Sequence, residues 1–366
     1  MANAALFAPK RSLAWADAPA DAERRVGVWL LGVAVLVFAM IIVGGATRLT
    51  DSGLSITEWK PLLGAIPPLT HAQWMGEFDK YREIAQYQLK NRGMTLAEFQ
   101  FIFWWEWAHR QLGRVIGLAF ALPLVWFHVT RQLKPGLAPR LVAMLALGGL
   151  QGAIGWWMVS SGIGTDRLQV AAYRLAVHLG MAFLLLGLLV WTASDLLGRR
   201  RRGAGDAAVA PWSLALCGLV FVQVILGAFV AGTDAGFVYT DWPMMGGAWL
   251  PQHYFALSPW PLNLVENLQA IQFNHRIGAY LVCALAALAA LRAMASRDQG
   301  VRGWGLAALA CVLAQAGLGV ATLLGFGRWT PPQIEGVLLG IAHQGFGAVL
   351  FVTVLLFWRA ARPARG

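Results

Sequence analysis

Eight apolar stretches, each long enough to cross a lipid bilayer, constrain the fold of this chain more than any other feature. A helix needs about 20 apolar residues to cross ~30 Å of hydrocarbon. Hydrophobic residues make up 58% of the 366 residues and charged residues only 13%, a composition typical of polytopic membrane proteins. The sequence therefore predicts an all-α integral membrane protein with eight transmembrane helices, at roughly 26–46, 108–130, 139–160, 170–193, 211–231, 269–291, 303–325 and 336–358.

Basic residues are concentrated in the loops that follow the even-numbered spans. The loop 232–268 on the opposite side contains no Lys or Arg. Because cytoplasmic loops carry an excess of Lys and Arg, both termini are predicted to be cytoplasmic. This bias, together with anionic lipid, accounts for the net charge of +11, so no nucleic-acid partner is expected. The basic residues of these loops are Arg131, Lys134, Arg140, Arg199, Arg200, Arg201, Arg202, Arg292, Arg297 and Arg302.

The two halves of the chain are related by a tandem repeat. Residues 50–68 (TDSGLSITEWKPLLGAIPP) align without a gap with residues 233–251 (TDAGFVYTDWPMMGGAWLP) at an offset of 183. Each repeat unit contains four spans, so both units have the same orientation in the membrane. We therefore predict two tandem four-helix bundles related by a pseudo-two-fold axis along the membrane normal. The aligned identities are Thr50, Asp51, Gly53, Thr57, Trp59, Gly64, Ala65 and Pro68, and in later spans Gln151 and Gly155 match Gln315 and Gly319.

This repeat divides the chain into five predicted segments. They are a cytoplasmic N-terminal arm (1–25), an N-terminal four-helix half (26–197), an Arg-rich cytoplasmic linker (198–210), a C-terminal four-helix half (211–358) and a cytoplasmic tail (359–366).

The outer loop of the first half, at about 47–105, is longer than its counterpart at 232–268. The extra length includes residues 71–90, whose pattern predicts an amphipathic helix on the bilayer surface over the first site. A solvated loop segment with only a structural role explains the same residues equally well.

Four histidines recur in register within or beside the predicted spans. His109 and His178 are 69 residues apart, and His275 and His343 are 68 residues apart. All four lie within roughly two helical turns of the predicted outer interface. Because an imidazole in hydrocarbon is costly, a functional role is the default interpretation. We predict two sites on the outer side, each made by two facing helices.

Haem fits such a pair of histidines better than zinc does. Zinc prefers four ligands, often with cysteine or carboxylate, and the three cysteines lie singly, away from the histidines. A haem takes two axial histidines and an apolar slot. Arg110 and Arg276 directly follow the first ligand of each pair and are candidate propionate contacts, although lipid headgroups are the other interpretation. The neighbouring glycines expected to admit a flat ring are Gly113, Gly180, Gly278, Gly345 and Gly347.

One ionisable residue distinguishes the two halves. Glu106 lies three residues before His109, whereas Gln272 lies three residues before His275. Positions i and i+3 share a helix face, so the carboxylate is predicted to lie beside the ligand of the first half. Chemistry that moves protons is expected there. The alternative is an acidic residue that stabilises a helix N-terminus.

Three motifs resemble haem A synthase, in the branch shared by proteobacteria and mitochondria. They are EWAHRQLGR (106–114), FNHRIGAY (273–280) and GGATRLTDSGLSITEWKP (44–61), and the resemblance extends over about residues 26–358. It implies an enzyme that oxidises a ring methyl group of haem O to a formyl group by successive hydroxylations. The product would be haem A for terminal oxidases. The cysteine pair typical of the outer loop in the other branch is absent from this sequence.

The resemblance also implies a role for each candidate residue. His109 and His178 match the ligands of the haem O substrate, His275 and His343 match the ligands of a resident haem b, and Glu106 matches the functional carboxylate. A bacterial inner-membrane location with haem sites toward the periplasm is implied. Dioxygen and an unidentified electron donor are implied as co-reactants. Haem O synthase (protohaem farnesyltransferase), oxidase assembly factors and a second copy of the chain are candidate partners.

Two other functions remain open from the residues alone. A non-catalytic dihaem cytochrome would need the same four histidines, and a haem carrier would bind haem and leave it unchanged. The difference between Glu106 and Gln272 favours chemistry in one half.

Overall fold

The computed structural model describes residues 21–198, 205–328 and 334–363. Within these ranges the chain is almost entirely helical, with one isolated β-bridge between Met245 and Ala248. The α-helices are α1 (Ala22–Leu49), α2 (His71–Arg82), α3 (Ala85–Leu89), α4 (Leu96–Val129), α5 (Leu137–Val159), α6 (Ala172–Leu197), α7 (Ala210–Gly232), α8 (Leu268–Met294), α9 (Gln299–Arg328) and α10 (Ile334–Ala361).

Eight helices in the described part of the chain, α1 and α4 to α10, are long and apolar enough to cross a membrane. A helix pairs its backbone N–H and C=O groups internally, which hydrocarbon requires of any spanning segment. The predicted all-α membrane protein with eight spans is therefore confirmed. Of the predicted arm, linker and tail, residues 1–20, 199–204 and 364–366 lie outside the described residues, and the five segment boundaries stay predictions.

Helix α4 begins well before the span predicted at 108–130. The Thr95 hydroxyl accepts a hydrogen bond from the Glu98 backbone N–H at 3.3 Å, and the Glu98 carboxylate accepts one from the Thr95 backbone N–H at 2.7 Å. This reciprocal capping box starts the helix at Leu96. Hydropathy detects only the part of a helix that is apolar, so it misses this outer extension.

The extension of α4 forms a small hydrophobic core with the outer loop. The predicted helix at 71–90 is present as two shorter helices, α2 and α3. Phe78 of α2 stacks on Phe99 of α4, with ring centroids 4.8 Å apart. Leu54 and Tyr81 are buried in the same cluster. The loop is thus anchored to a spanning helix, while its predicted contact with the bilayer surface stays a prediction.

Each half is a ring of four spanning helices among those described. In the first half, α1 and α5 each pack against α4 and α6; in the second half, α7 and α9 each pack against α8 and α10. Between the halves, α1 packs against α10, α7 against α6, and α6 against α10. Since α1 corresponds to α7 and α6 to α10, a two-fold axis at the contact of α6 with α10 would generate this pattern. The axis itself stays a prediction.

A polar contact joins the two halves at the loop end of α1. Arg48 donates hydrogen bonds to Gln169 Oε1 at 2.6 Å, to the Ala231 carbonyl at 2.6 Å and to Asp234 Oδ1 at 2.8 Å. By the offset of 183, Ala231 is the repeat partner of Arg48 itself. The two halves therefore differ at this position, and the arginine of one half bonds to the equivalent backbone of the other.

The contact of α6 with α10 depends on a glycine. Phe183 and Phe351 pack edge to face, with ring centroids 5.5 Å apart. A Cβ added at Gly187 would lie 3.2 Å from the Phe351 ring. Helices in lipid associate through close van der Waals packing, for which small residues are suited.

We expect Gly187→Leu to lower the stability of the protein in detergent by about 1–3 kcal/mol, the usual range for overpacking. Gly32→Leu on α1 is the matched control, because a Cβ there meets nothing within 4 Å and both changes raise helix propensity equally. Size-exclusion chromatography after heating measures the fraction that stays folded. Equal losses for the two variants would contradict close packing at Gly187.

Candidate functional site

The four histidines predicted to form the sites lie on four different helices, two in each half of the protein. His109 is on α4 and His178 on α6, while His275 is on α8 and His343 on α10. All four are partly buried. The His275 and His343 rings are nearly perpendicular, with an interplanar angle of 83° and centroids 6.5 Å apart. An imidazole nitrogen binds a first-row metal ion at about 2 Å, so two such bonds and two ring radii together span a distance of this size.

A glycine of the neighbouring helix packs against each imidazole. A Cβ added at any of these four glycines would lie within 3.1 Å of the ring Cε1 atom. A side chain there would push the ring away, so the glycine lets the imidazole rest against the adjacent backbone. The pairs are Gly44 of α1 with His109, Gly155 of α5 with His178, Gly227 of α7 with His275, and Gly319 of α9 with His343.

In the second half, a glutamine one helical turn before the glycine holds each imidazole. Gln223 Nε2 lies 3.0 Å from His275 Nδ1 and donates to the His275 carbonyl oxygen at 2.8 Å. Gln315 Nε2 lies 3.2 Å from His343 Nδ1 and donates to the His343 carbonyl oxygen at 3.0 Å. Both the ring and the backbone of each histidine are therefore fixed by one amide.

The first half holds its imidazoles less tightly. Gln151 donates to the His178 carbonyl oxygen at 2.9 Å. The Nδ1 atoms of His109 and His178 are buried, and neither has a hydrogen-bond partner among the described residues. The position that corresponds to Gln223 by the offset of 183 is Met40, which cannot donate a hydrogen bond. The two halves thus share a backbone arrangement but differ in how the rings are held.

Glu106 belongs to a buried cluster between α4 and the outer loop. Its Oε2 atom accepts hydrogen bonds from the Ser55 hydroxyl at 2.8 Å and the Ile56 backbone N–H at 2.7 Å. Its Oε1 atom accepts two bonds from Arg110, at 2.5 and 3.1 Å. The side chain is 4% exposed. This buried carboxylate is paired with a guanidinium, as a charged group in such a place requires.

Gln272 holds the second loop in the corresponding place. Its Nε2 atom donates to the Tyr239 carbonyl at 2.8 Å and the Gly236 carbonyl at 3.3 Å. Tyr239 is the repeat partner of Ile56. The carboxylate therefore accepts from a loop N–H in one half, while the amide donates to a loop carbonyl in the other. Both side chains tie the loop to the helix, and only Glu106 can exchange a proton.

The two arginines that follow the histidines bind the backbone of the same loops. Arg110 donates to the Ile56 carbonyl at 2.7 Å and the Glu58 carbonyl at 2.9 Å. Arg276 donates to three carbonyls, those of Tyr239, Asp241 and Met244, at 2.9 to 3.0 Å. Both guanidinium groups thus hold the loops in position. The predicted contacts of Arg110 and Arg276 with haem propionates stay predictions.

Sequence reasoning did not assign the glutamines and glycines of the adjacent helices to the site. The spacing Gln-x-x-x-Gly occurs in α5, α7 and α9 (151–155, 223–227 and 315–319), and this shared spacing could have revealed them. The glycines proposed from the sequence to admit a flat ring instead pack against side chains of neighbouring helices. They are Gly113, Gly180, Gly278, Gly345 and Gly347.

Known proteins share this chain's sequence over almost its whole length. A family model described as "Cytochrome oxidase assembly protein" matches residues 27–355. A protein of Parvibaculum lavamentivorans named heme A synthase is 49% identical over 340 residues, which cover 92% of this chain and 94% of the relative. Heme A synthases of Caulobacter vibrioides and Dinoroseobacter shibae are 47% and 50% identical, covering 94% of this chain and 98% and 88% of the relatives.

The chain belongs to the haem A synthase family. The resemblance carried by the three motifs is thereby confirmed, and the match reaches both halves of the repeat. Family members named in this way act as enzymes of cytochrome oxidase assembly, so the site described above is the one in which an enzymatic function must be sought.

We expect Arg276→Met to increase hydrogen exchange of the backbone amides in residues 239–248 by about tenfold or more. Hydrogen bonds to a charged group contribute about 1.5–3 kcal/mol, and this arginine makes three. Exchange in residues 50–60 should not change. Arg110→Met is the matched variant and should have the opposite pattern. Mass spectrometry of peptides measures both, and an equal increase in the two loops would show that the arginines stabilise the whole fold rather than one loop each.

Proposed function

We propose that this protein oxidises a ring methyl group of haem O to the formyl group of haem A. The observation that carries the proposal is the duplicated pair of histidines with an ionisable carboxylate in one half only. The relatives named heme A synthase support it, at 47–50% identity. Dioxygen and an external electron donor are the co-reactants that such an oxidation needs.

The residues of the second half fit a haem held by two histidines. A ligating imidazole donates its other ring N–H to an acceptor. The Oε1 atoms of Gln223 and Gln315 are buried and have no partner in the described chain. Turning each amide so that Oε1 accepts from Nδ1–H would exchange the present bond to the histidine carbonyl for a bond to the ring. The described residues contain no group of three or more His, Cys, Asp or Glu that could hold a metal ion, which favours haem over zinc.

The resident haem b is assigned to His275 and His343, and the haem O substrate to His109 and His178. Support comes from the way the rings are held. Both imidazoles of the second half contact a glutamine amide, as suits a permanent cofactor. The Nδ1 atoms of His109 and His178 lack such a contact among the described residues, as suits a substrate that must be bound and released. A resident haem supplies one-electron transfer when bound.

Glu106 is assigned as the group that exchanges a proton beside the substrate. It lies on α4 one turn before His109 and is shielded from solvent. Arg110 donates two hydrogen bonds to Oε1 of the carboxylate, so Oε2 is the oxygen that faces the loop. Proton transfer at Oε2 has to disturb the bonds from Ser55 and Ile56. The protonation state of Glu106 is therefore coupled to the position of the outer loop.

The protein is assigned to the bacterial inner membrane, with both termini in the cytoplasm and both haem sites toward the periplasm. The support is the basic character of the loops after the even-numbered spans. The family description supports a place in oxidase assembly. Haem O synthase, which would supply the substrate, and oxidase assembly factors are the proposed partners, with a second copy of the chain as a further candidate.

A dihaem cytochrome or a haem carrier is the alternative. Both would bind haem at the same histidines without changing it. Extracted pigment distinguishes them, because only a synthase yields a formylated haem in cells that make haem O.

We expect His275→Ala and His343→Ala to remove most of the tightly bound b-type haem, whereas His109→Ala should leave it largely in place. Each substitution deletes one axial ligand in one half only. Pyridine haemochrome spectra of the purified variants measure the bound haem. Equal loss from variants of the two halves would contradict the assignment of cofactor and substrate to different halves.

We expect Glu106→Gln to lower haem A formation by about 10²-fold or more, the scale for loss of a positioned proton-transfer group. Haem O or its hydroxylated intermediate should accumulate in cells that also express haem O synthase, and b-type haem should be retained. Chromatography of extracted haems measures this. Gln272→Glu in the other half should not create activity.

Ser55→Ala is the matched control for Glu106→Gln. It removes one hydrogen bond from the carboxylate and keeps the ionisable group, so it tests the loop contact by itself. A small loss of haem A from Ser55→Ala beside a large loss from Glu106→Gln is the expected result. Losses of the same size would reduce Glu106 to a group that only positions the loop.

A further inference from the structure

Four imidazoles rest on four glycines, but only three of those glycines are preceded by a glutamine. The fourth helix, α1, has Met40 where α7 has Gln223. The correspondence is structural as well as sequential, because α1 and α7 end at the paired residues Leu49 and Gly232. His109 is therefore the histidine whose neighbouring helix offers it no amide.

The two side chains reach the same place in their respective bundles. Gln223 Oε1 lies 2.2 Å from a Cβ added at Gly278, and the Met40 methyl lies 3.3 Å from a Cβ added at Gly113. Gly278 follows His275 by three residues and Gly113 follows His109 by four, so the two side chains lie near, though not at, equivalent positions about one helical turn after the histidine. Methionine and glutamine are unbranched and similar in length, so a glutamine at position 40 would fit the existing space.

The chemical difference between the two side chains is large. A glutamine amide donates and accepts hydrogen bonds, whereas a thioether is only a weak acceptor. The Nδ1 atoms of His109 and His178 are both buried without a partner in the described part of the chain. What sets His109 apart is its backbone carbonyl, because the carbonyls of the other three histidines each accept a bond from a glutamine amide.

This difference matters because an iron with two imidazole ligands has no free position for a small ligand. One of the two histidines of the substrate site has to leave the iron before dioxygen can bind there. His178 is fixed through its carbonyl by Gln151, and His109 receives no such bond from the helix on which it rests.

We propose that Met40 makes His109 the exchangeable ligand of the haem substrate, by withholding the glutamine hydrogen bond that the backbone carbonyls of the other three histidines accept. Met40 is then a positioning residue for the reaction. The proposal rests on the proposed function, since it requires haem O at His109 and His178. Met40 leaves the second half unaffected, where Gln223 keeps the resident haem closed to small ligands.

Carbon monoxide binding to the reduced protein tests the proposal directly. The protein is purified from cells that express haem O synthase, and pyridine haemochrome spectra give its content of haem O and haem b. We expect Met40→Gln to weaken carbon monoxide binding to haem O by roughly tenfold, the effect of one hydrogen bond of about 1.4 kcal/mol. The ferric haem O should shift toward the low-spin state in electron paramagnetic resonance spectra.

Two further variants complete the test. Met40→Leu keeps the size and the apolar character, so carbon monoxide binding should stay as in the unmodified protein. Gln223→Met introduces the methionine into the second half, and the b-type haem should then bind carbon monoxide. If Met40→Gln does not accumulate, Gln223→Met decides: a b-type haem that still excludes carbon monoxide overturns the proposal.

The outcomes separate this proposal from the proposed function. Normal haem O content with unchanged carbon monoxide binding in Met40→Gln overturns only the role of Met40. Weakened binding in Met40→Leu as well overturns it too, because the thioether itself would then be required. Unmodified protein that contains neither haem O nor an oxidised product of it overturns the substrate assignment, and the role of Met40 with it.

Discussion

The contact between each imidazole and the backbone of the neighbouring helix determines much of the rest of this structure. A histidine can rest on an adjacent helix only where that helix has a glycine, and four such glycines fix the positions of α1, α5, α7 and α9 against the histidine-bearing helices. Hydrocarbon provides no hydrophobic driving force for helices to associate, so close packing at small residues has to hold the helices together. The same contacts that build the four-helix rings therefore also set the geometry of the sites.

The loops at one end of the four-helix rings are held by side chains of α4 and α8, the helices that carry His109 and His275. Arg110 and Glu106 bind the first loop, and Arg276 and Gln272 bind the second. Each loop is thus attached within one turn of a histidine. A change of charge at these side chains would therefore reach the loop through one or two hydrogen bonds. This coupling is direct in the first half, where the attached group is ionisable.

Spans, repeat and histidines could be predicted from the sequence because each leaves a local signal. Apolar runs reveal the part of a helix that lies in hydrocarbon, and the repeat reveals which positions correspond. The start of α4 at Leu96 was missed because a capping box, not hydropathy, sets it. The glycines and glutamines of the site were missed because they act on histidines of other helices. The bonds from Arg110 to Glu106 and to the loop carbonyls could not be predicted, since sequence alone does not reveal which acceptors lie nearby; its contact with a propionate stays a prediction.

The proposed difference in chemistry between the two halves rests on two positions of the repeat at which the residues differ. Glu106 in place of glutamine introduces a proton-exchanging group next to one histidine. Met40 in place of glutamine removes a hydrogen-bond partner from the same histidine. Both differences act on His109, while His275 keeps the neutral amide at both places. The proposed function requires a duplicated bundle to hold two similar haems, one inert and one reactive. Differences placed around a single histidine would achieve this without altering the packing that both halves need.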